Sequence, residues 1–242
     1  MIEIKNLRKF YGGRKIVDDL SLTIGKGSVF GFLGPNGAGK STTMKMLVGI
    51  TSQDEGEIVI GGKNSSDPGG REHIGFMPEA PYFYDRLTGL EFLQFCGELF
   101  CKHKTEDEYL DLLKELGIYD ARDRAINTYS KGMKQRLGFA QMMVNDPDYI
   151  FLDEPLDGLD PLGRREIKKI ILGLKARGKT IFFNSHILYD TEEICDAIGV
   201  IHQGKLLYAG GVKEFCAGEP LEKRFVELVE EHIKKESVVP VS

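Results

Sequence analysis

Along the first third of the chain, apolar and polar residues change places at every second position, and glycines punctuate the pattern. Ile2-Glu3-Ile4 and Leu20-Ser21-Leu22-Thr23-Ile24 alternate in this way, with turns at Tyr11-Gly12-Gly13 and Gly25-Lys26-Gly27. Such alternation predicts antiparallel strands over residues 2–33, each with one buried face. The apolar run Ser28–Leu33 has strand character. Glu57–Gly62 and Ile74–Pro78 predict two further strands, separated by a polar, glycine-rich loop over residues 63–73. The period then changes. Thr88-Gly89-Leu90-Glu91 and Thr105-Glu106-Asp107-Glu108 are capping boxes, in which a threonine and a glutamate three residues later satisfy the free amides of a helix start. Leu90, Leu93, Gly97 and Phe100 are expected on one face of the first helix. Leu110, Leu113 and Leu116 follow at helical spacing in the second, and Gly117 ends it. Residues 132–144 predict a third helix.

Three helices with no strand between them predict a helical lobe, at about residues 80–145, inserted into an α/β core. The core resumes with a buried strand at Tyr149–Leu152, a helix over 162–177 stopped by Gly178, and a strand at Thr180–Phe183. A helix over 188–195 follows. Ala197–Tyr208 reads as two strands around a Gln203-Gly204 turn, and 221–236 as a charged amphipathic helix. The last six residues are expected to fray. The organisation expected is one unit over residues 1–218, followed by a C-terminal helix and tail over 219–242.

Composition narrows this picture without changing it. A chain of 242 residues, 41% hydrophobic and 29% charged, can bury one large core or two modest lobes. A net charge of -5 gives no electrostatic case for a nucleic-acid partner. No segment approaches the roughly 20 apolar residues that span a bilayer, and Met1–Lys5 has no signal-peptide layout. Reduced thiols in the cytosol are therefore expected for the four cysteines. Cys96, Cys101 and His103 lie near one another in sequence, but no second cysteine pair follows. Structural cysteines are the expectation there, rather than a metal site.

The chemistry lies in Gly34–Thr42, which reads G-P-N-G-A-G-K-S-T and follows the spacing of a phosphate-binding loop. An apolar strand precedes it and a helical stretch follows, as the motif requires. Glycines let successive amides turn inward to phosphate oxygens, and the helix start adds its positive end. Asn36, Gly37, Ala38, Gly39 and Thr42 are expected to line the phosphates. Lys40 is expected at the β- and γ-phosphates, and the Ser41 hydroxyl on Mg²⁺. A second element, Tyr149–Glu154, is an apolar strand ending in two carboxylates. Asp153 fits the Mg²⁺-holding acid of phosphate-loop NTPases. Glu154 fits a base that polarises water for attack on the γ-phosphorus. Standing alone, Asp-Glu-Pro after a strand is a common turn. Beside a phosphate loop it points to hydrolysis.

A third element names a family. Tyr129-Ser130-Lys131-Gly132-Met133-Lys134-Gln135-Arg136 resembles the signature motif of ATP-binding cassette (ABC) ATPases, usually L-S-G-G-Q. Ser130 and Gly132 match; Tyr129, Lys131 and Met133 depart. The variant resembles cassettes of drug, polysaccharide and antibiotic-resistance exporters. Other cassette elements follow in family order. Tyr11 occupies the position of the aromatic that stacks on adenine. Leu156-Asp157-Gly158-Leu159-Asp160 resembles the D-loop, and the resemblance implies nucleotide contact for Asp160. His186 stands where the switch histidine contacts the γ-phosphate. Leu207–Gly210 resembles the strand and turn that close the cassette. Ile74–Glu79 resembles the glutamine loop, with Glu79 in place of glutamine. That carboxylate can serve Mg²⁺, or it can point away and pair with a surface base; both readings stay open.

The resemblance covers residues 2 to about 216. It implies an α/β phosphate-loop NTPase core with an N-terminal antiparallel subdomain and an inserted helical subdomain. It also implies ATP hydrolysis with Mg²⁺, and head-to-tail pairing with a second cassette that brings Ser130 of one chain to the Lys40 loop of the other. A cytoplasmic subunit docked on the inner face of the cell membrane, powering a separate membrane-spanning permease, follows from the same resemblance. Tyr82, Phe83 and Tyr84 suit the docking surface, with core packing as the alternative for at least one of them. The rival reading is a cassette that moves no solute and acts on a macromolecular assembly. A kinase fits poorly beside the Ser130 segment, and a GTPase lacks its Asn-Lys-x-Asp motif.

Overall fold

The structure, a computed structural model, describes residues 1–101 and 104–237. The chain opens with β1 (Ile2–Tyr11), β2 (Arg14–Ile24), β3 (Val29–Leu33), α1 (Lys40–Leu47), β4 (Glu55–Ile60), β5 (Lys63–Asn64) and β6 (Ile74–Met77). Three helices follow: α2 (Gly89–Leu99), α3 (Glu106–Glu115) and α4 (Lys131–Met143). Then come β7 (Tyr149–Asp153), α5 (Pro161–Ala176), β8 (Thr180–Ser185), α6 (Leu188–Ile194), β9 (Ala197–His202), β10 (Lys205–Gly211), α7 (Val212–Cys216) and α8 (Leu221–Ser237).

Two sheets form. An antiparallel one has the order β2-β1-β4-β5, and a mainly parallel one has the order β10-β9-β3-β8-β7-β6. The expectation of antiparallel strands over residues 2–33 holds for β1 and β2. It fails for β3, which pairs in parallel with β8 and β9. The burial patterns explain the split. β1 and β2 alternate buried and exposed positions, whereas every residue of β3, β7 and β8 is buried. A strand covered on both faces belongs inside a parallel sheet. Phe182 stacks among Phe30, Phe32 and Phe151 at centroid separations of 5.4 to 5.9 Å. Each such ring pair adds about 0.5–1.5 kcal/mol beyond the area it buries.

Both capping boxes form as the sequence predicts. The buried stripe of α2 differs from expectation. It is Gly89, Phe92, Leu93, Cys96 and Gly97, while Phe100 lies outside the helix and is exposed. In α3, Tyr109 and Leu113 turn inward, and Leu110 is only half-buried. The α2–α4 helices share one continuous apolar cluster with β7, β8 and α5. The helical lobe is thus anchored on the sheet through a common core. α8 packs through Phe225, Leu228 and Val229 on a smaller cluster that includes Leu33, Ile198 and Val200. Of the last six residues, expected to fray, Ser237 ends α8, and residues 238–242 lie outside the described residues, as does His103.

Parallel register sets the functional edge. Leu33 pairs with Ser185, Asp153 with Asn184, and Met77 with Leu152. The carboxyl ends of β3, β8, β7 and β6 therefore finish side by side. Crevices at this end of a parallel sheet are where ligands bind in open α/β folds.

Candidate active site

A cleft of about 590 Å³ opens at that edge. Its walls include Asn36, Gly37, Gly39, Lys40, Ser41 and Thr42 of the loop after β3, Glu79 after β6, Glu154 after β7 and His186 after β8. Tyr11 and Ile16 come from the β1–β2 hairpin of the other sheet, and Asp157 from the loop before α5. Ten residues proposed from sequence thus meet on one surface, although they are scattered between positions 11 and 186.

The loop is built for close approach of an anion. Gly37 and Gly39 hold φ of 78° and 110°, conformations open to glycine. An added Cβ at Gly34 would collide with the Ile201 carbonyl, and at Gly39 it would sit 2.7 Å from the Ile16 carbonyl. α1 begins at Gly39 with no side-chain cap. Its first-turn amides therefore remain open to a phosphate. Ala38 buries its side chain in the core, and its carbonyl accepts from Gly204 N–H. Lys40 is buried, and its ammonium donates to the carbonyls of Gly34 at 2.6 Å and Pro35 at 3.3 Å. Burial lowers the Lys40 pKa; the nearby Glu154 and Asp153 carboxylates oppose that shift. A buried cation held by neutral carbonyls is a fit for a polyphosphate, which supplies the missing negative charge.

Asp153 lies just behind the cleft wall, buried, with Oδ1 accepting from Asn184 Nδ2 at 2.8 Å. The Asn184 Oδ1 is buried without a hydrogen-bond partner, so this corner has polar capacity to spare for a hydrated cation. Glu154 adopts φ of 50°, a costly conformation for a residue with a Cβ. Its amide is tied to the Asn184 carbonyl at 3.2 Å. Its Oε2 lies 2.8 Å from His186 Nδ1 and accepts from the His186 amide at 3.2 Å. The two residues named for hydrolysis are thus in direct contact.

Other candidates fall elsewhere. Ser130 is exposed and caps α4, accepting from Met133 N–H at 3.3 Å. Gly132 sits in the first turn of α4 with open space where a Cβ would be. Neither lines the cleft of its own chain. Asp160 caps α5, accepting from Gly163 N–H at 2.7 Å. Asp160 does not line the cleft of its own chain; Asp157, three residues earlier, does. Ile16 carries no sequence signal at all. Glu79 is exposed on the cleft wall. Among the described residues no three His, Cys, Asp or Glu side chains are gathered to hold a metal. Cys96 is buried, which pushes its thiol up to about 11, while Cys101 is exposed.

The ABC transporter family matches residues 17–157, more than half of the chain. The chain belongs to the ABC transporter ATP-binding family. An uncharacterised ABC transporter ATP-binding protein of Nostoc sp. is 45% identical over 217 residues, 87% of this cassette and 64% of the relative. A fluoroquinolones export ATP-binding protein of Mycobacterium tuberculosis is 40% identical over 193 residues, 79% of this cassette and 64% of the relative. The cassette therefore spans somewhat under two thirds of these relatives' length. A solved ATP-binding subunit of an ABC transporter superposes with a TM-score of 0.85 at 29% identity, covering 95% of this cassette and 99% of that chain. Among the described residues no helix is long and apolar enough to cross a membrane.

Proposed function

We propose that this cassette binds and hydrolyses ATP as the energising subunit of an exporter whose membrane-spanning part is a separate protein. The observation that carries the reading is the meeting, on one cleft, of the buried Lys40 ammonium, the open start of α1 and the Glu154–His186 pair. Tyr11, half exposed at the cleft mouth, stacks on adenine. The loop amides and Lys40 hold the phosphates. Glu154 takes a proton from water as the water oxygen bonds to the γ-phosphorus, the bond to ADP breaks, and phosphate leaves. His186 orients Glu154 and contacts the γ-phosphate. Ser41 and Asp153 would hold Mg²⁺, which would supply positive charge to the phosphates, with Glu79 as a further oxygen ligand.

Ser130 and Gly132 serve the nucleotide of a second cassette, because they stand outside their own cleft. Residues 1–218 act as the ATPase unit, with the lobe of about 80–145 as its docking arm. Tyr82 is 82% exposed and Tyr84 51%, and Tyr84 meets Phe95 edge to face at 5.3 Å, whereas Phe83 is buried against Phe92. The two tyrosines and Phe95 suit an apolar segment of the permease, on the cytoplasmic side of the membrane. Glu154→Gln tests the chemistry. Hydrolysis should fall by roughly two orders of magnitude or more while ATP binding persists, and the ATP-bound dimer should accumulate on sizing chromatography. Near-normal turnover in this variant would remove Glu154 from the reaction.

A further inference from the structure

The signature segment departs from L-S-G-G-Q at Lys131, where glycine is usual, and the structure gives this lysine a contact within its own chain. Its ammonium lies against Gly158, so an added Cβ there would collide with it. Gly158 has φ of 62°, so the backbone and the lysine both favour glycine. The same ammonium stands 3.9 Å from Oδ2 of Asp157. The other oxygen of that carboxylate, Oδ1, stands 3.7 Å from His186 Nε2. His186 Nδ1 in turn lies 2.8 Å from Glu154 Oε2. Lys131, Asp157, His186 and Glu154 thus form one chain, from the start of α4 to the water-activating carboxylate.

We propose that Lys131 is a positioning residue for hydrolysis, acting through Asp157 to fix the orientation of His186 and hence of Glu154. The proposal rests on the ATPase reading. Asp157 stands between Lys131 Nζ and His186 Nε2, one beside each of its oxygens. Lys131 holds it back, so the Nε2 face of His186 stays turned to the cleft. Without the lysine charge, Asp157 loses the contact that fixes it, and the Nε2 face of His186 loses a fixed neighbour. Lys131, Asp157 and His186 are each between two and three fifths exposed, so solvent screens the pair and its effect is modest.

Lys131→Met should lower kcat about fivefold, the scale of an exposed ion pair, and leave the dissociation constant of ATP for the dilute protein unchanged. Lys131→Arg should retain kcat, because it keeps the charge. In the Asp157→Asn background, Lys131→Met should have no further effect, since the two act in series. In nucleotide-free protein, the His186 ring nitrogen resonances, assigned with His186→Gln, should move in Lys131→Met and Asp157→Asn but not in Lys131→Arg. Unmoved His186 resonances in Lys131→Met, or additive losses in the double variant, would overturn the proposal. A parent protein with no ATPase would instead sink the functional reading, while the resonances would still report on the Lys131–Asp157–His186 chain.

Discussion

The phosphate loop and the Ser130 segment are both helix starts offered to an anion, and they differ in what surrounds them. α1 begins at Gly39 without a side-chain cap, in a cleft walled by four other segments. α4 begins at an exposed Ser130 that satisfies its own first turn through a 3.3 Å bond to Met133 N–H. The first start has amides that need a ligand and a buried lysine that needs a counter-charge. The second is content in water. Each free amide at a helix start invites an oxygen, but only the first is enclosed by residues of its own chain. The contrast supports a division of labour, in which this chain holds one nucleotide and completes the site around another.

The sharpest way to break that contrast is Ser130→Arg. Hydrolysis and ATP-dependent dimerisation should be lost, while ATP binding by dilute protein stays as in the parent. Weaker binding in the dilute variant would mean that the two helix starts serve one nucleotide, and the division would collapse. Lys40→Ala should act on the other side of the contrast. Loss of a charge-assisted phosphate contact, worth about 1.5–3 kcal/mol, should weaken ATP binding about tenfold to a hundredfold in titrations at any protein concentration. Unchanged affinity would show that the loop amides suffice. Glu79→Gln should have the smallest effect, a few-fold change in the Mg²⁺ concentration for half-maximal ATPase. A superimposable Mg²⁺ titration would remove Glu79 from the metal and leave it to the docking surface.

The helical lobe shows where sequence patterns stop being informative. Both capping boxes formed where Thr88–Glu91 and Thr105–Glu108 predicted them, because a cap is made within four residues. The faces of the same helices were harder to read. Phe100 sits at helical spacing from Leu93 and Gly97 yet points to solvent, because α2 ends before it and the core lies on the Phe92–Cys96 side. Likewise Tyr82, Phe83 and Tyr84 are adjacent and similarly apolar, yet only Phe83 finds a pocket, against Phe92. Asp157 and Asp160 are near in sequence yet differ in place: the proline after Asp160 marks it as the cap of α5, while Asp157 lines the cleft.

The strand–loop–helix of the phosphate site, the acidic end of β7 and the family are legible in short stretches of residues, because those features depend on contiguous residues and on backbone conformations that glycine and proline dictate locally. Which of the named side chains touch depends on the packed fold. Glu154 and His186 are 32 residues apart and meet only because β7 and β8 run in parallel register from Tyr149–Thr180 to Asp153–Asn184. Lys131 reaches Asp157 only because α4 and the loop after β7 converge at Gly158, which leaves room for the ammonium. Contacts of this kind follow from sheet register and from the packing of helices on a common core, both set by the whole chain at once.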